Sequence, residues 1–394
     1  LYDAIIVGAG PTGSYIAHRL ASLGHRIVVF EEHEHIGEPV NCTGIIGAEC
    51  VEQFPLFDGT VLREVSSARL FSPSRKELRL ERESVQAYTI DRAAFDRSLA
   101  EKAQGQGVHY ITGSRVTDVA VLNHHVTVKT KDQKTCEAKT AVIASGLNSP
   151  IPHRLGLGRV GDLVMGAQAE VSYYSSNGEG QHSEKSDLEV YFGQEMAPGF
   201  FAWFVPTAPK RALVGLFSRR KPGDYLRTLL VTLSQQGRIA SPRAEITYRG
   251  IPLKPLPKTY LKRVVVVGDA AGQVKPTTGG GVYYGLLCAE AAVDTLHQAL
   301  ATDTFSEKLF SSYQKAWQER IGWELQIGYF ARFLYERLSD RQIDQLFHLT
   351  MLNGIHEALL RSPDISFDWH GKAIMKGLNY LGPWHELFSQ GEKD

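Results

Sequence analysis

Two glycine-rich segments about 260 residues apart constrain this chain more than any other feature. The first, Ile5-Ile6-Val7-Gly8-Ala9-Gly10-Pro11-Thr12-Gly13, opens the protein, and the second, Val264-Val265-Val266-Val267-Gly268-Asp269-Ala270-Ala271-Gly272, follows near residue 270. Each runs an apolar strand into a turn and then a helix. In the first, a strand over residues 4–7, an amphipathic helix over 14–23 ended by Gly24, and a second strand at Ile27–Phe30 make a complete β-α-β unit. Gly8 permits the tight turn, Gly10 lets a pyrophosphate approach the backbone, and Gly13 lets helix and strand pack closely. Pro11 and Thr12 complete the turn, so the phosphates rest on the helix N-terminus. Glu31, at the carboxyl end of the second strand, stands where an acid accepts hydrogen bonds from an adenosine ribose, with Glu32 beside it.

A G-x-G-x-x-G turn does not by itself separate NAD from FAD. The second segment does, because Asp269, following a strand at Gly268, suits the ribityl hydroxyls of a flavin. Beyond it, Pro276-Thr277-Thr278-Gly279-Gly280-Gly281 leads into a helix beginning near Val282, whose free N–H groups and positive dipole end would face an anionic flavin ring. FAD is therefore the expected cofactor, tuned toward hydride chemistry by that helix end.

The rest of the chain fits a globular enzyme of two or three structural units. Lys plus Arg equals Asp plus Glu at 43 each, so no global field draws in nucleic acid. Four cysteines (Cys42, Cys50, Cys136, Cys288) form no C-x-x-C pair and no disulfide framework, which fits a reducing, cytoplasmic setting. No apolar run reaches bilayer-spanning length. His33 and His35 make an H-x-H pair without a third ligand, so no metal is expected.

The expected fold is α/β (α+β), with a Rossmann-type FAD-binding domain, an antiparallel-sheet substrate domain and a C-terminal helical region. The FAD domain is assembled from residues 1–40, 86–165 and 255–300, with a helix over 92–104, a hairpin strand over 124–129 turning near 131–134, and a strand over 140–144. The substrate domain takes 41–85 and 166–254, with alternating strands over 165–171, 188–192, 200–205 and 211–217. Residues 301–394 read as helices, with Trp317, Ile321 and Leu325 at helical spacing and a last helix over 372–381. A ligand cavity is expected where the sheet meets the flavin.

On these residues the chain resembles the aromatic-hydroxylase-type flavoproteins. The resemblance rests on residues 8–13, on Tyr88-Thr89-Ile90-Asp91-Arg92-Ala93-Ala94-Phe95-Asp96, on Ala144-Ser145-Gly146-Leu147-Asn148-Ser149 and on Gly268-Asp269-Ala270-Ala271-Gly272. Within them it resembles the geranylgeranyl reductase family, through Asn41-Cys42-Thr43-Gly44, Pro198-Gly199-Phe200-Phe201-Ala202-Trp203-Phe204-Val205-Pro206 and residues 276–281. Against that family's P-x-x-Y-x-W-x-F-P motif, Phe201 replaces Tyr and Val205 replaces Phe. Ser145 replaces the Asp common in the A-D-G motif of the hydroxylases.

The resemblance implies reduction of isolated carbon–carbon double bonds in prenyl chains, with hydride from reduced flavin reaching one alkene carbon and a proton the other. It places Cys42, Trp203, Gly279 and Gly280 at the reaction centre. Cys42, Arg92, Gly146, Gly268, Asp269, Gly281 and Val282 join the first-turn residues as cofactor contacts, and Phe200, Phe201, Trp203, Val205 and Pro206 would line the alkyl slot. Water, a flavin-derived proton or Cys42 remain as proton sources, and NAD(P)H or a ferredoxin as electron donor. The expected partners are a prenylated lipid or isoprenoid and that electron donor, and a lipid substrate would bring the protein to a membrane surface. Along the C-terminal helices, Trp323, Tyr329, Phe330, Phe333 and Leu334 are read as packed bundle core. The competing readings are a flavin monooxygenase or halogenase on the same fold, a quinone-linked electron-transfer flavoprotein, and a flavin-containing lipid-binding or redox-sensing protein that does not turn over.

Overall fold

The computed structural model describes residues 1–40, 42–174, 187–352, 354–362 and 366–380; Asn41 of the Asn41-Cys42-Thr43-Gly44 motif and Leu381 of the last helix lie outside them. The strand pattern at the N-terminus builds one sheet in the order Tyr260–Leu261, Val264–Val266, Thr135–Ile143, Tyr2–Val7, Ile27–Phe30 and His109–Ile111. All neighbours on this path are parallel except the edge pair Tyr260–Leu261 and Val264–Val266. The hairpin Val116–Val121 and Val126–Thr130 pairs with the first half of Thr135–Ile143, which is why that strand starts earlier than its apolar core at 140–144 suggests.

Period-two alternation divides the sheet's side chains between two cores. Ala4, Ile6, Ile27, Val29 and Val265 face the helices Pro11–Ser22, Arg92–Gly105 and Val282–Ala301. Ile5, Val7, Val28, Phe30 and Val264 face the other way, under the hairpin. With both faces covered, these strands read as continuous apolar runs. The Arg92–Gly105 helix is started by Asp91, whose side chain accepts a hydrogen bond from the Ala94 N–H at 2.9 Å.

The second sheet has seven strands in the order Thr247–Pro252, Leu163–Ser172, Arg211–Ser218, Phe201–Ala208, Leu188–Phe192, Ser67–Phe71 and Glu77–Glu81. It is antiparallel except where Leu188–Phe192 runs parallel to Ser67–Phe71. One face, with Ala167, Ala202, Phe204, Val214 and Leu216, is sealed by Leu226, Leu229, Leu230 and Leu233 of the helix Pro222–Gln235. The opposite face carries Trp203, Val205 and Phe217. A small third sheet joins Ile45–Gly47 and Val61–Val65 to Ala87–Ile90, so strands from both sides of residue 86 pair with one another.

The C-terminal helices include Glu307–Trp317, a π-helical turn at Gln318–Gly322, and Trp323–Tyr335. Trp317, Ile321 and Leu325 are buried, as their spacing predicts. Trp323, Phe330 and Phe333 correct the bundle-core expectation: they are 48%, 51% and 43% exposed. Phe330 and Phe333 follow Trp323 by seven and ten residues on one helix, on the side opposite the buried Leu325 and Arg332.

Candidate active site

One cavity of about 580 Å³ runs along the glycine turns and the open face of the second sheet. Its first wall is the N-terminal turn. Gly8 has a φ of +106°, and a β-carbon there would lie 2.4 Å from the Ala144 carbonyl oxygen. Gly13 is not on the wall. A β-carbon on it would lie 2.1 Å from the Gly8 oxygen, so its part is to let helix and strand pack. Gly10 has open space before it, and Pro11 starts a helix with no side-chain cap and no acid in its first turn. The orphan N–H groups of that turn form an anion seat.

Glu31 is folded back onto this turn. Its Oε2 accepts the Ala9 N–H at 2.8 Å, while Oε1 accepts the His33 N–H at 3.0 Å and His33 Nδ1 at 2.7 Å. Glu32, on the rim of the cavity, pairs with Arg115 at 3.5 Å.

The second glycine segment forms a short helical turn, Gly268–Ala271, locked by a buried relay. The Gly268 N–H donates to Gln273 Oε1 at 2.8 Å, Gln273 Nε2 to the Tyr313 hydroxyl at 2.9 Å, and that hydroxyl to the Val266 carbonyl at 2.8 Å. Asp269 pairs with Arg249 and lies beside Gly281, where a β-carbon would stand 2.7 Å from its Oδ1. Gly281 precedes the helix Val282–Ala301 without a capping side chain, so this helix also presents bare N–H groups. Gly279, at φ +74°, passes close under the aromatic face: a β-carbon there would stand 2.9 Å from Phe217 Cζ.

Cys42 lies on the wall with Thr43 and Gly44. Its Sγ accepts the Gly44 N–H at 3.4 Å and also interacts with the Arg92 guanidinium. Arg92 also clamps Asp96, with Nε to Oδ1 at 3.0 Å and Nη2 to Oδ2 at 2.8 Å. Burial opposes charge on both partners. The attraction of Asp96 and Cys42 nonetheless holds Arg92 above its ordinary value, whereas burial leaves the Asp96 carboxyl raised. Arg249 is raised chiefly by Asp269.

The aromatic wall is narrower than the motif suggests. Phe201 and Trp203 line the cavity, 5.5 and 4.8 Å from Phe217 between ring centroids. The Trp203 indole N–H donates to Gln168 Oε1 at 3.4 Å, and Thr43 Oγ1 donates to the same oxygen at 2.6 Å. Phe200, Val205 and Pro206 are not on the wall. Phe200 precedes the strand and its ring lies 3.3 Å from the Arg332 guanidinium, bordering a separate, smaller pocket. Val205 shares Trp203's face but is enclosed in that apolar cluster, and alternation turns Pro206 to the opposite face.

The cavity is finished by polar atoms that nothing in the protein satisfies. Ser145 Oγ, Thr278 Oγ1 and Asp368 Oδ2 are buried without hydrogen-bond partners, and all three residues line it together with Gly146. Two uncapped helix ends, orphaned polar atoms and cradles that a β-carbon would fill fit a dinucleotide with a polar ring edge, as FAD has.

Residues 3–346 match the protein-family model described as lycopene cyclase protein. The sequence is 31% identical over 358 residues to the digeranylgeranylglycerophospholipid reductase of Methanocaldococcus jannaschii, covering 88% of this chain and 90% of that one. The chain belongs to the geranylgeranyl reductase family. It belongs equally to the family that the matching model describes. Digeranylgeranylglycerophospholipid reductase 1 of Methanococcoides burtonii is 29% identical over 363 residues, 88% of this chain and 86% of its own. The crystal structure of a geranylgeranyl bacteriochlorophyll reductase-like protein from Thermoplasma acidophilum has a TM-score of 0.82 at 22% identity, covering 98% and 99% of the two chains. A flavin-dependent brominase shares the fold, with a TM-score of 0.66 at 16% identity.

The wall residues of this reductase-family chain that sequence reasoning missed include Gln168, Phe217, Arg249, Lys275 and Asp368. Phe217 had a signal, since it stands in a strand already read as alternating. Lys275 immediately precedes the glycine loop, which was a signal too. Gln168 likewise stands in the strand read over 165–171, whereas Arg249 and Asp368 reach the cavity only through tertiary folding.

Proposed function

We propose that this protein is an FAD-dependent reductase that saturates carbon–carbon double bonds in geranylgeranyl or related prenyl chains of lipids. The observation that carries the reading is that the glycine loop at 277–281 and the Phe201, Trp203 and Phe217 face share one cavity, with Gly279 against Phe217. FAD bound to the domain assembled from 1–40, 86–165 and 255–300 would supply, once reduced, the hydride that an isolated alkene needs.

The chain's own part is positioning and exclusion of water. An unactivated alkene is a poor acceptor, so the bond must be held in register within a dry slot. Trp203 and Phe217, each 8% exposed, supply the apolar wall, and Gln168 fixes the indole's orientation. The Phe201 ring, standing where family members carry a phenol, makes that stretch of wall wholly apolar. Cys42, which interacts with the Gly44 N–H and with Arg92, is the proposed contact on the polar side. The names of the relatives support a lipid substrate carrying geranylgeranyl chains.

A cytoplasmic protein that meets the membrane at its surface accords with this substrate. Among the described residues no helix is long and apolar enough to cross a membrane, the four cysteines are free, and the exposed Trp323, Phe330 and Phe333 offer an apolar contact. Binding to lipid vesicles, lost on replacing Trp323 and Phe330 by Ser, tests this contact.

The test of function is mass spectrometry of geranylgeranyl lipids incubated anaerobically with dithionite-reduced protein, which bypasses the choice between NAD(P)H and ferredoxin as donor. A gain of two hydrogens per double bond is expected. No gain, with oxygen or halogen incorporated once air and halide are admitted, would move the protein to the monooxygenase or halogenase branch.

A further inference from the structure

Beneath the glycine loop lies an ion pair that the reading above does not use. Lys275 Nζ is 2.6 Å from Asp368 Oδ1, with the two side chains only 5% and 2% exposed. The partners are 93 residues apart. Two glycines make the room: a β-carbon on Gly280 would meet Lys275 Cε at 2.7 Å, and one on Gly47 would overlap the Asp368 carboxylate. Both residues line the main cavity, and Asp368 Oδ2 has no hydrogen-bond partner.

Burying an ammonium and a carboxylate together is at best weakly stabilising against an apolar pair of the same size. The surrounding chain nevertheless fixes it firmly. Around Asp368, Trp369 Nε1 donates to Glu49 at 2.7 Å, the Gly371 N–H donates to Glu324 at 2.8 Å, and Tyr284 donates to the Asp368 carbonyl at 3.2 Å. The segment's tight docking, and a buried unpaired oxygen set against Gly47 on a residue that lines the cavity, point to a function in the site.

We propose that Lys275 and Asp368 act as opposed charges that set the reduction potential of the flavin held in this cavity. The inference rests on the FAD reading above. A flavin that takes up two electrons and one proton from a reductant carries one net negative charge. Lys275, beside the uncapped end of the Val282–Ala301 helix, favours that charge; Asp368 holds the ammonium in place and offsets part of its field. These are positioning residues, acting through the field in the cavity.

The two partners are therefore expected to shift the potential in opposite directions, which loss of packing alone would not do. The test is an anaerobic dye-referenced titration of the FAD-loaded full chain as wild type, Lys275→Met, Lys275→Arg, Asp368→Asn and the Met/Asn double variant. Lys275→Met is expected to lower the potential by at least a tenfold change in the oxidised-to-reduced ratio, about 30 mV for a two-electron couple. Asp368→Asn is expected to raise it, and Lys275→Arg and the double variant to stay near wild type. Should Lys275→Met fail to fold, Asp368→Asn decides alone: an unmoved or lowered potential overturns the inference. Bound flavin with one potential in every variant, or both single variants shifting the same way, overturns it and leaves the cofactor reading standing. A wild-type protein that takes up no FAD overturns both.

Discussion

A β-carbon on Gly215 would stand 2.4 Å from Cζ2 of Trp203. The two residues are cross-strand partners, and the indole, which lines the cavity, covers the glycine. Gly215→Ala must therefore push the indole off its rotamer and away from Gln168, at a cost of about 1–3 kcal/mol typical of overpacking. The expected outcome is a lower melting temperature together with a loss of prenyl reduction larger than that of Ala212→Gly, a change on the opposite face. Thermal unfolding and product mass spectrometry on the same preparations check it.

Glu31 ties the end of the second strand to the glycine turn through the Ala9 N–H. Glu31→Gln removes the negative charge and sets an NH₂ group against either the Ala9 or the His33 N–H, both of which need an acceptor. FAD affinity is expected to fall about tenfold, roughly 1–2 kcal/mol. Glu32→Gln, which breaks only an exposed pair with Arg115, should leave it nearly unchanged. Flavin fluorescence titration of the apoprotein measures both.

His370 makes the docked C-terminal segment sensitive to acid. Its Nε2–H donates to the Phe367 carbonyl at 2.9 Å, so Nδ1 is the acceptor for Thr277 Oγ1 at 2.6 Å, the arrangement of a neutral ring. Burial first, and then the nearby Lys275 ammonium, push its pKa down to about 4 from 6.5. The unfolded chain takes up this proton at higher pH than the folded one, so the group's contribution is complete above about pH 6.5 and lost as pH falls toward 4. It amounts to about 3 kcal/mol. His370→Gln should show a shallower decline of melting temperature between those pH values than wild type. Equal slopes in the two proteins would mean that the ring does not titrate as the structure requires.

What could be read in advance follows from how local each signal is. The glycine turns, the apolar strands and the helix starts are written in runs of ten to fifteen residues, and so the positions of Gly8, Gly10, Glu31 and Gly268 on the cavity wall follow from sequence. Phe200 departs from the expected wall because it precedes the strand, after Gly199 at φ +66°, and its ring packs on Arg332 beside the smaller pocket. Helical spacing groups Trp323, Phe330 and Phe333 on one face but does not say whether that face is covered. Asp368 has no local signal at all, because its place depends on a C-terminal segment returning to Glu49, Tyr284 and Glu324.

Arg92 and Asp96 form another enclosed ion pair of the site, with side chains 12% and 10% exposed. Removing the cation strands a carboxylate in surroundings that already raise its pKa by burial, a loss of about 3–5 kcal/mol for a broken buried pair. Arg92→Met should therefore unfold at lower denaturant concentration than wild type, and the deficit should be larger at pH 8 than at pH 5. The reason is that the folded variant can relieve the strain by protonating Asp96, and a folded pKa above the unfolded one yields stability that fades as pH rises. Arg92→Met/Asp96→Leu, which removes both charges, should recover most of the stability without recovering the contact to Cys42. Denaturation curves at the two pH values separate these contributions. If the double variant bound FAD as tightly as wild type, Arg92 would be a support of the helix alone and not part of the cofactor site.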